Sequence, residues 1–173
     1  MNAVQSKVPS VRGGMNSYFH FAPILLAPGS VIEPGNFGRL IRLRGEAHAL
    51  YRREMAYEAL RQKEFPDRPS RLDCLFCFPT LQEAQLCRTH IQGYADSILY
   101  EVESAEAELH IADLNNGLQL CGLSVFDINR IAYYWRGWER SCDPQAVVLR
   151  EVILQCPVTI LRRIESTVSA SLI

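Results

Sequence analysis

Apolar and polar positions along the chain follow two rhythms, and the switches between them mark its elements. Near the end, Val152, Ile153 and Leu154 form a β-branched and aliphatic run. Val158, Ile160 and Ile164 continue it beyond Pro157, so this part reads as two strands. Pro157 has no N–H and is expected at a strand start, bulge or bend that re-aims the chain. Earlier strands are expected over residues 17–26 (SYFHFAPILL), 72–78 (LDCLFCF), 96–103 (DSILYEVE) and 107–112 (AELHIA). In the first, alternation puts Tyr18, His20 and Ala22 on one face and Phe19 and Phe21 on the other. In the second, Cys74, Phe76 and Phe78 oppose Leu75 and Cys77.

The helical rhythm appears three times. Residues 46–64 are rich in helix formers and contain no Gly or Pro. There Leu50, Tyr51, Met55 and Ala59 can share an apolar face, which would leave Arg52, Arg53, Arg61 and Lys63 mostly solvated. Thr80 with Glu83 three residues later is a capping box that predicts a helix over 81–90. Ser124 to Asp127 reads as a third helix start, with Ile128, Ile131, Ala132 and Trp135 at helical spacing and Gly137 as the stop. Arg39 to Arg44 (RLIRLR) alternates basic and apolar residues and fits either a short strand or the approach to a helix. Turn-forming clusters fall at 26–29, 33–38, 65–71 and 113–117. Residues 1–14 are polar and read as a flexible tail. Residues 15–173 read as one α+β domain without internal repeats.

Composition narrows the function. The chain has 173 residues, 48% hydrophobic and 21% charged, with a net charge of -1 and a pI near 6.4. That balance makes nucleic acid an unlikely partner and argues against a general grip on an anionic membrane, leaving room only for a local basic patch. No apolar run approaches the roughly 18 residues of a membrane span, and no signal-peptide core opens the chain. Folding in the cytosol is therefore the expectation. The six cysteines include one C-x-x-C, Cys74 and Cys77. A structural zinc site needs a second pair, and His20, His48, His90 and His110 are too scattered to supply one, so no metal is expected and the thiols read as buried and reduced.

Two features bear on chemistry. Glu151 opens an apolar strand, where carboxylates are scarce because an unpaired buried charge is costly. It stands either at the mouth of a cleft or as the exposed first residue of its strand. Tyr133 to Trp138 is a dense aromatic cluster, read either as core packing or as a stacking wall for a planar ligand formed by Tyr134 and Trp135.

The order of these elements resembles the ADP-ribosyltransferase superfamily. Tyr18-Phe19-His20 followed by Leu26 to Gly35 (LAPGSVIEPG), then Phe76 to Ala84 (FCFPTLQEA) and Leu99 to Glu103 (LYEVE), are similar to segments of the rifampin ADP-ribosyltransferases. Arg150 to Leu154 (REVIL) resembles the glutamate-led strand of toxin and effector members. The Phe65 to Arg71 run resembles a bacterial branch near effectors that ADP-ribosylate a threonine of host ubiquitin. The resemblance implies a split antiparallel β core, NAD as substrate, a protein acceptor such as ubiquitin, and secretion into a host cell as an effector. It makes Glu151 catalytic and His20 a contact to the adenosine ribose. Phe21 stands where relatives carry a glycine whose backbone binds the nicotinamide amide. Phe76 stands where many carry a stacking tyrosine. Arg71, with Arg39 and Arg42 behind it, would pair with the pyrophosphate. Asp113 is a second acidic candidate, below Glu151. Leu149, two positions before Glu151, is neither Glu nor Gln, which argues against the arginine-modifying subgroup.

Breaking the nicotinamide–ribose bond develops oxocarbenium character, as glycoside hydrolysis does. A carboxylate that accepts the ribose 2′-OH and lies near the growing positive charge favours the transition state over the ground state. Two other outcomes share this sequence pattern: an NAD glycohydrolase that uses water, and a non-catalytic interaction module with the same fold.

Overall fold

The computed structural model describes residues 15–105, 110–118, 128–137 and 147–165. The expected tail and the Ser124–Asp127 helix start lie outside these residues. The fold is α+β, with two antiparallel sheets. The first sheet has the order β1 (Asn16–Ala22), β4 (Ile98–Ser104), β7 (Val158–Ile164), β2 (Val31–Ile32). The second has the order β3 (Leu75–Cys77), β6 (Arg150–Leu154), β5 (His110–Asp113). The helices are α1 (Asn36–Arg44), α2 (Tyr51–Glu64), α3 (Leu81–His90), the single turn α4 (Asn115–Leu118) and α5 (Ile128–Arg136).

Alternation decides what each sheet face touches. Tyr18, Tyr100, Val102, Val158 and Ile160 of the first sheet pack against Leu75, Cys77, Val152 and Leu154 of the second. The opposite face of the second sheet, with Phe76, Ala112 and Ile153 and the adjoining Cys74, packs against Tyr57 and Leu60 of α2 and Ile131, Tyr134 and Trp135 of α5. A third cluster, Phe21, Phe78, Ala84, Cys87, Leu99, Leu114 and Leu149, gathers around α3. A backbone bridge also joins the sheets, where Phe19 and Phe78 exchange hydrogen bonds of 2.9 and 2.7 Å. Pro157 falls between β6 and β7, which belong to different sheets, so it carries the chain from one sheet to the other.

Several boundaries differ from the sequence reading. The first strand ends at Ala22, before Pro23, and the next residues hang on Tyr100: Leu26 N–H donates to its hydroxyl, which donates to the Ile24 carbonyl. Arg39 to Arg44 is helical, because burial of Gly38 and Ile41 follows a three-residue step rather than a two-residue one. Gly35 precedes it at φ +84°, a conformation glycine adopts without a Cβ penalty. Residues 45–47 form a separate 3₁₀ turn, so the helix expected from 46 starts at Tyr51. Its buried face is Glu54, Tyr57 and Leu60, not Leu50, Tyr51, Met55 and Ala59. The strand expected over 72–78 shrinks to Leu75–Cys77, because Ser70 caps a 3₁₀ turn at Arg71–Asp73 by accepting the Leu72 N–H at 3.2 Å. The Thr80 cap and the 81–90 helix are as read, with Thr80 accepting the Glu83 N–H at 3.2 Å. Gly137, at φ +111°, follows the end of α5.

Candidate functional site

Five elements converge on one guanidinium. Arg71, on the Ser70-capped turn, is 7% exposed. Its Nε donates to Glu54 Oε2 at 2.9 Å, and its Nη1 donates to Glu151 Oε1 at 2.6 Å and to the Tyr134 hydroxyl. The Tyr134 hydroxyl in turn donates to Glu151 Oε1 at 2.6 Å. Three rings flank the guanidinium, with its carbon 4.6 Å from the Phe76 centroid, 4.8 Å from Tyr134 and 5.0 Å from Tyr57. Arg53, on the turn before Tyr57, donates twice to Glu54 Oε1, at 2.9 and 2.6 Å. The cluster therefore holds two arginines and two glutamates, a neutral set, as burial demands.

The local reasons are simple. Glu151 points the same way as Ile153, Phe76 and Ala112, toward the helices, because β6 alternates and Glu151 pairs with Ala112 on β5. Glu54 lies three positions before Tyr57 on the inner face of α2. The Phe65–Ser70 loop that delivers Arg71 is moored to α2. Arg61 Nη1 donates to the carbonyls of Pro66 and Arg68, and Glu58 accepts from Arg61 and from Ser70 Oγ.

Burial and charge set the protonation states. Burial would raise the Glu54 carboxyl, but the Arg71 and Arg53 charges outweigh it and hold Glu54 below the ordinary carboxylate value. Burial also works against the charge on Arg71, yet Glu54, Tyr134 and Glu151 keep it well above its usual value, so it stays cationic. The Tyr134 hydroxyl is pushed well up, first by burial and then by Glu151, and remains a donor. His110, 3% exposed, is lowered to about 4 by burial and by the Arg68 charge. Its neutral ring lies stacked on Trp135 and hydrogen-bonds the Tyr134 carbonyl through Nε2 at 3.1 Å.

Glu151 is neither an exposed strand residue nor at an open cleft mouth: it is 2% exposed and ion-paired. Both of its bonds fall on Oε1, and among the described residues no hydrogen bond reaches Oε2. Arg71, expected as a phosphate clamp, has Nε and Nη1 already committed. Tyr134 and Trp135 are fully buried, and Trp135 donates to the Tyr57 carbonyl at 3.1 Å, so neither offers a solvent-facing ring to a ligand. His20 is half-buried on β1, and its Nδ1 lies 2.8 Å from the Phe76 carbonyl. Burial lowers its pKa despite that bond, so the ring is neutral and Nδ1 carries the proton it donates. Phe76 is half-buried between Arg71 and Phe37. Phe21 is buried and stacked on Tyr94 at 4.6 Å, its side chain turned into the third cluster. Arg39 is exposed, and Arg42 pairs with Asp73 at 2.8 Å. Asp113 is buried at the end of β5. Its Oδ1 accepts the N–H groups of Asn115 and Leu149, and it has no part in the Arg71 bonds.

The sequence reading missed Glu54 and Arg53. The available signal was a carboxylate in step with Tyr57 and Leu60 at three-residue intervals. Counting apolar residues alone chose another face. Cys74, Cys77 and Cys87 are buried free thiols, and no group of three or more metal ligands occurs among the described residues. An open depression of about 420 Å³ is lined by Arg61, Pro66, Arg68, Pro69, Ser70 and Asp73 among others, but not by Arg71 or Glu151. No helix among the described residues is long and apolar enough to cross a membrane.

Fold and site together define an α+β domain built around a buried arginine held between two glutamates. The chain belongs to the family described as protein of unknown function (DUF2441), whose model matches residues 25–166. No curated protein matches it.

Proposed function

We propose that the chain is an NAD-dependent mono-ADP-ribosyltransferase with an ADP-ribosyltransferase-like split β core and Glu151 as its catalytic carboxylate. The observation that carries this reading is the asymmetry of Glu151: Oε1 is fixed by Arg71 and Tyr134, and Oε2 is left as an acceptor. A carboxylate held by one oxygen needs no reorganisation to accept a ribose 2′-OH with the other, and its negative charge favours the oxocarbenium-like transition state. His20 reaches the Phe76 carbonyl across the sheet junction, and Phe76 pairs with Ile153 beside Glu151. Three of the residues that the resemblance maps onto NAD, His20, Phe76 and Glu151, thus lie on neighbouring strands where the two sheets meet. NAD would reach Oε2 only by parting the side chains that bury it. Arg71 then acts by orienting Glu151 rather than by clamping pyrophosphate. The acceptor is a protein, with a threonine of ubiquitin the first to try.

The test is incubation of the full chain with labelled NAD and a eukaryotic lysate, with purified ubiquitin alongside and Glu151→Gln as the control. A discrete labelled protein lost in the variant supports transfer. Nicotinamide release without a labelled protein moves the assignment to an NAD glycohydrolase. The burial of Arg71 and the pairing of its Nε and Nη1 favour a second reading, a non-catalytic module in which the cluster serves the fold. NAD that neither binds by calorimetry nor is consumed selects it.

A further inference from the structure

The chain is nearly neutral, yet α1 contains Arg39, Arg42 and Arg44 and no acidic residue. Gly38 and Ile41 turn inward. At 100° per residue, Leu43 and Leu40 then fall at the centre of the opposite face, flanked by Arg39 and Arg44. All four are exposed, Leu40 by 42% and Leu43 by 76%. Arg42, at the edge of that face, is neutralised by Asp73. Among the described residues Arg39 and Arg44 make no ion pair. A helix that only covers a core carries polar residues at the centre of its outer face. This one carries two leucines beside Asn36 there, between two unpaired cations.

The same helix is fastened to the turn that bears Arg71. A Cβ on Gly38 would overlap the Leu72 carbonyl, Arg42 Nη1 donates to that carbonyl at 3.4 Å, and the Gly35 N–H donates to the Cys74 carbonyl at 3.0 Å. Whatever sits on α1 is held by the element that positions the buried cluster.

We propose that the outer face of α1 is a docking surface for a partner protein that presents an apolar ridge flanked by carboxylates. Charge complementarity selects this occupant. Residues 1–14 carry Lys7 and Arg12 and no acid, and residues 166–173 carry no acid, so neither of these segments offers a carboxylate to Arg39 and Arg44. A nucleic acid would pair the arginines and leave both leucines in contact with phosphate. Two leucines on a nine-residue helix also bury little in a bilayer. If the transferase reading holds, this partner is the acceptor, but the binding claim does not depend on it.

The probe is a labelled synthetic amphipathic helical peptide with leucines along one face and glutamates on both sides, followed by fluorescence anisotropy on the full chain. A second peptide carries Gln for every Glu. The acidic peptide should bind saturably, and added salt should weaken it. The pair Arg39→Glu with Arg44→Glu, and separately Leu43→Gln, should each weaken binding by at least about tenfold. Their thermal melts should match the parent protein, since the changed side chains are exposed. Equal binding by the charge-reversed pair, equal binding of the Gln peptide, or no saturable binding overturns the proposal. So does binding confined to phosphatidylserine vesicles, or a dimer in sedimentation that the charge reversal dissolves. Glu151→Gln should bind the peptide like the parent, so failure of the NAD chemistry and failure of docking are read separately.

Discussion

Glu54 and Glu151 grip one guanidinium from different elements: Arg71 donates Nε to Glu54 at 2.9 Å and Nη1 to Glu151 at 2.6 Å. The bonds join helix α2, the Arg71 turn and strand β6, so the cluster ties the helical layer to the second sheet as well as shaping the candidate site.

Removing one partner should therefore be costly. Glu54→Ala leaves Arg71 and Arg53 with one buried carboxylate between them, and breaking a buried pair costs about 3–5 kcal/mol. Replacing Arg71, Arg53, Glu54 and Glu151 together by Met, Met, Gln and Gln should recover most of that loss, because no buried charge is then left unpaired. Urea denaturation of the two variants measures the difference.

Tyr134→Phe removes one donor to Glu151 Oε1 and keeps the ring that Arg71 packs against. A hydrogen bond to a charged group contributes about 1.5–3 kcal/mol. In the transferase reading, NAD consumption should fall while NAD affinity changes little, since Glu151 would be less firmly held. Initial rates at several NAD concentrations separate the two effects.

Gly38→Ala should disturb the site from a distance. The new methyl would overlap the backbone of Leu72, next to Arg71, and backbone cannot step aside as a flexible side chain can. Overpacking of this kind costs about 1–3 kcal/mol or more. Gly29→Ala, where no atom lies near, tests only the strain of a positive φ and should be milder. Thermal melts compare them.

Acid should weaken the fold through His110. Its folded pKa is near 4 and its ordinary value 6.5, because burial disfavours the charged ring. Its neutral form is thus favoured by folding. That contribution is fully present above pH 6.5 and is lost as pH falls toward 4, by up to about 3 kcal/mol. His20 is shifted the same way. His110→Gln keeps a donor near the Tyr134 carbonyl and cannot titrate. Its stability should fall less steeply between pH 6.5 and 4, as denaturation at several pH values would reveal.

Much of the fold was legible along the chain, and particular elements explain what was not. The Thr80 cap marked α3 because a cap is a local event, settled within one turn. Alternation separated Leu75 and Cys77 from Cys74 and Phe76 because successive strand residues must face opposite ways. The 3₁₀ turn at Arg71 straddled the border between the 65–71 turn cluster and the strand expected from Leu72. Its cap is a serine that also hydrogen-bonds Glu58 on another helix.

The sequence by itself determined the α+β class, most strands and helices, a bend in the chain at Pro157 and the singling out of Glu151, because periodicity, caps, a missing N–H and a carboxylate in an apolar run are local facts. Only the tertiary structure decided that Glu151 is buried, that Arg71 is its partner, and that Glu54, Arg53 and Tyr134 complete the cluster. Those residues lie far apart along the chain. The burial that forces their charges to pair exists only once α2, α5 and the second sheet have closed around them.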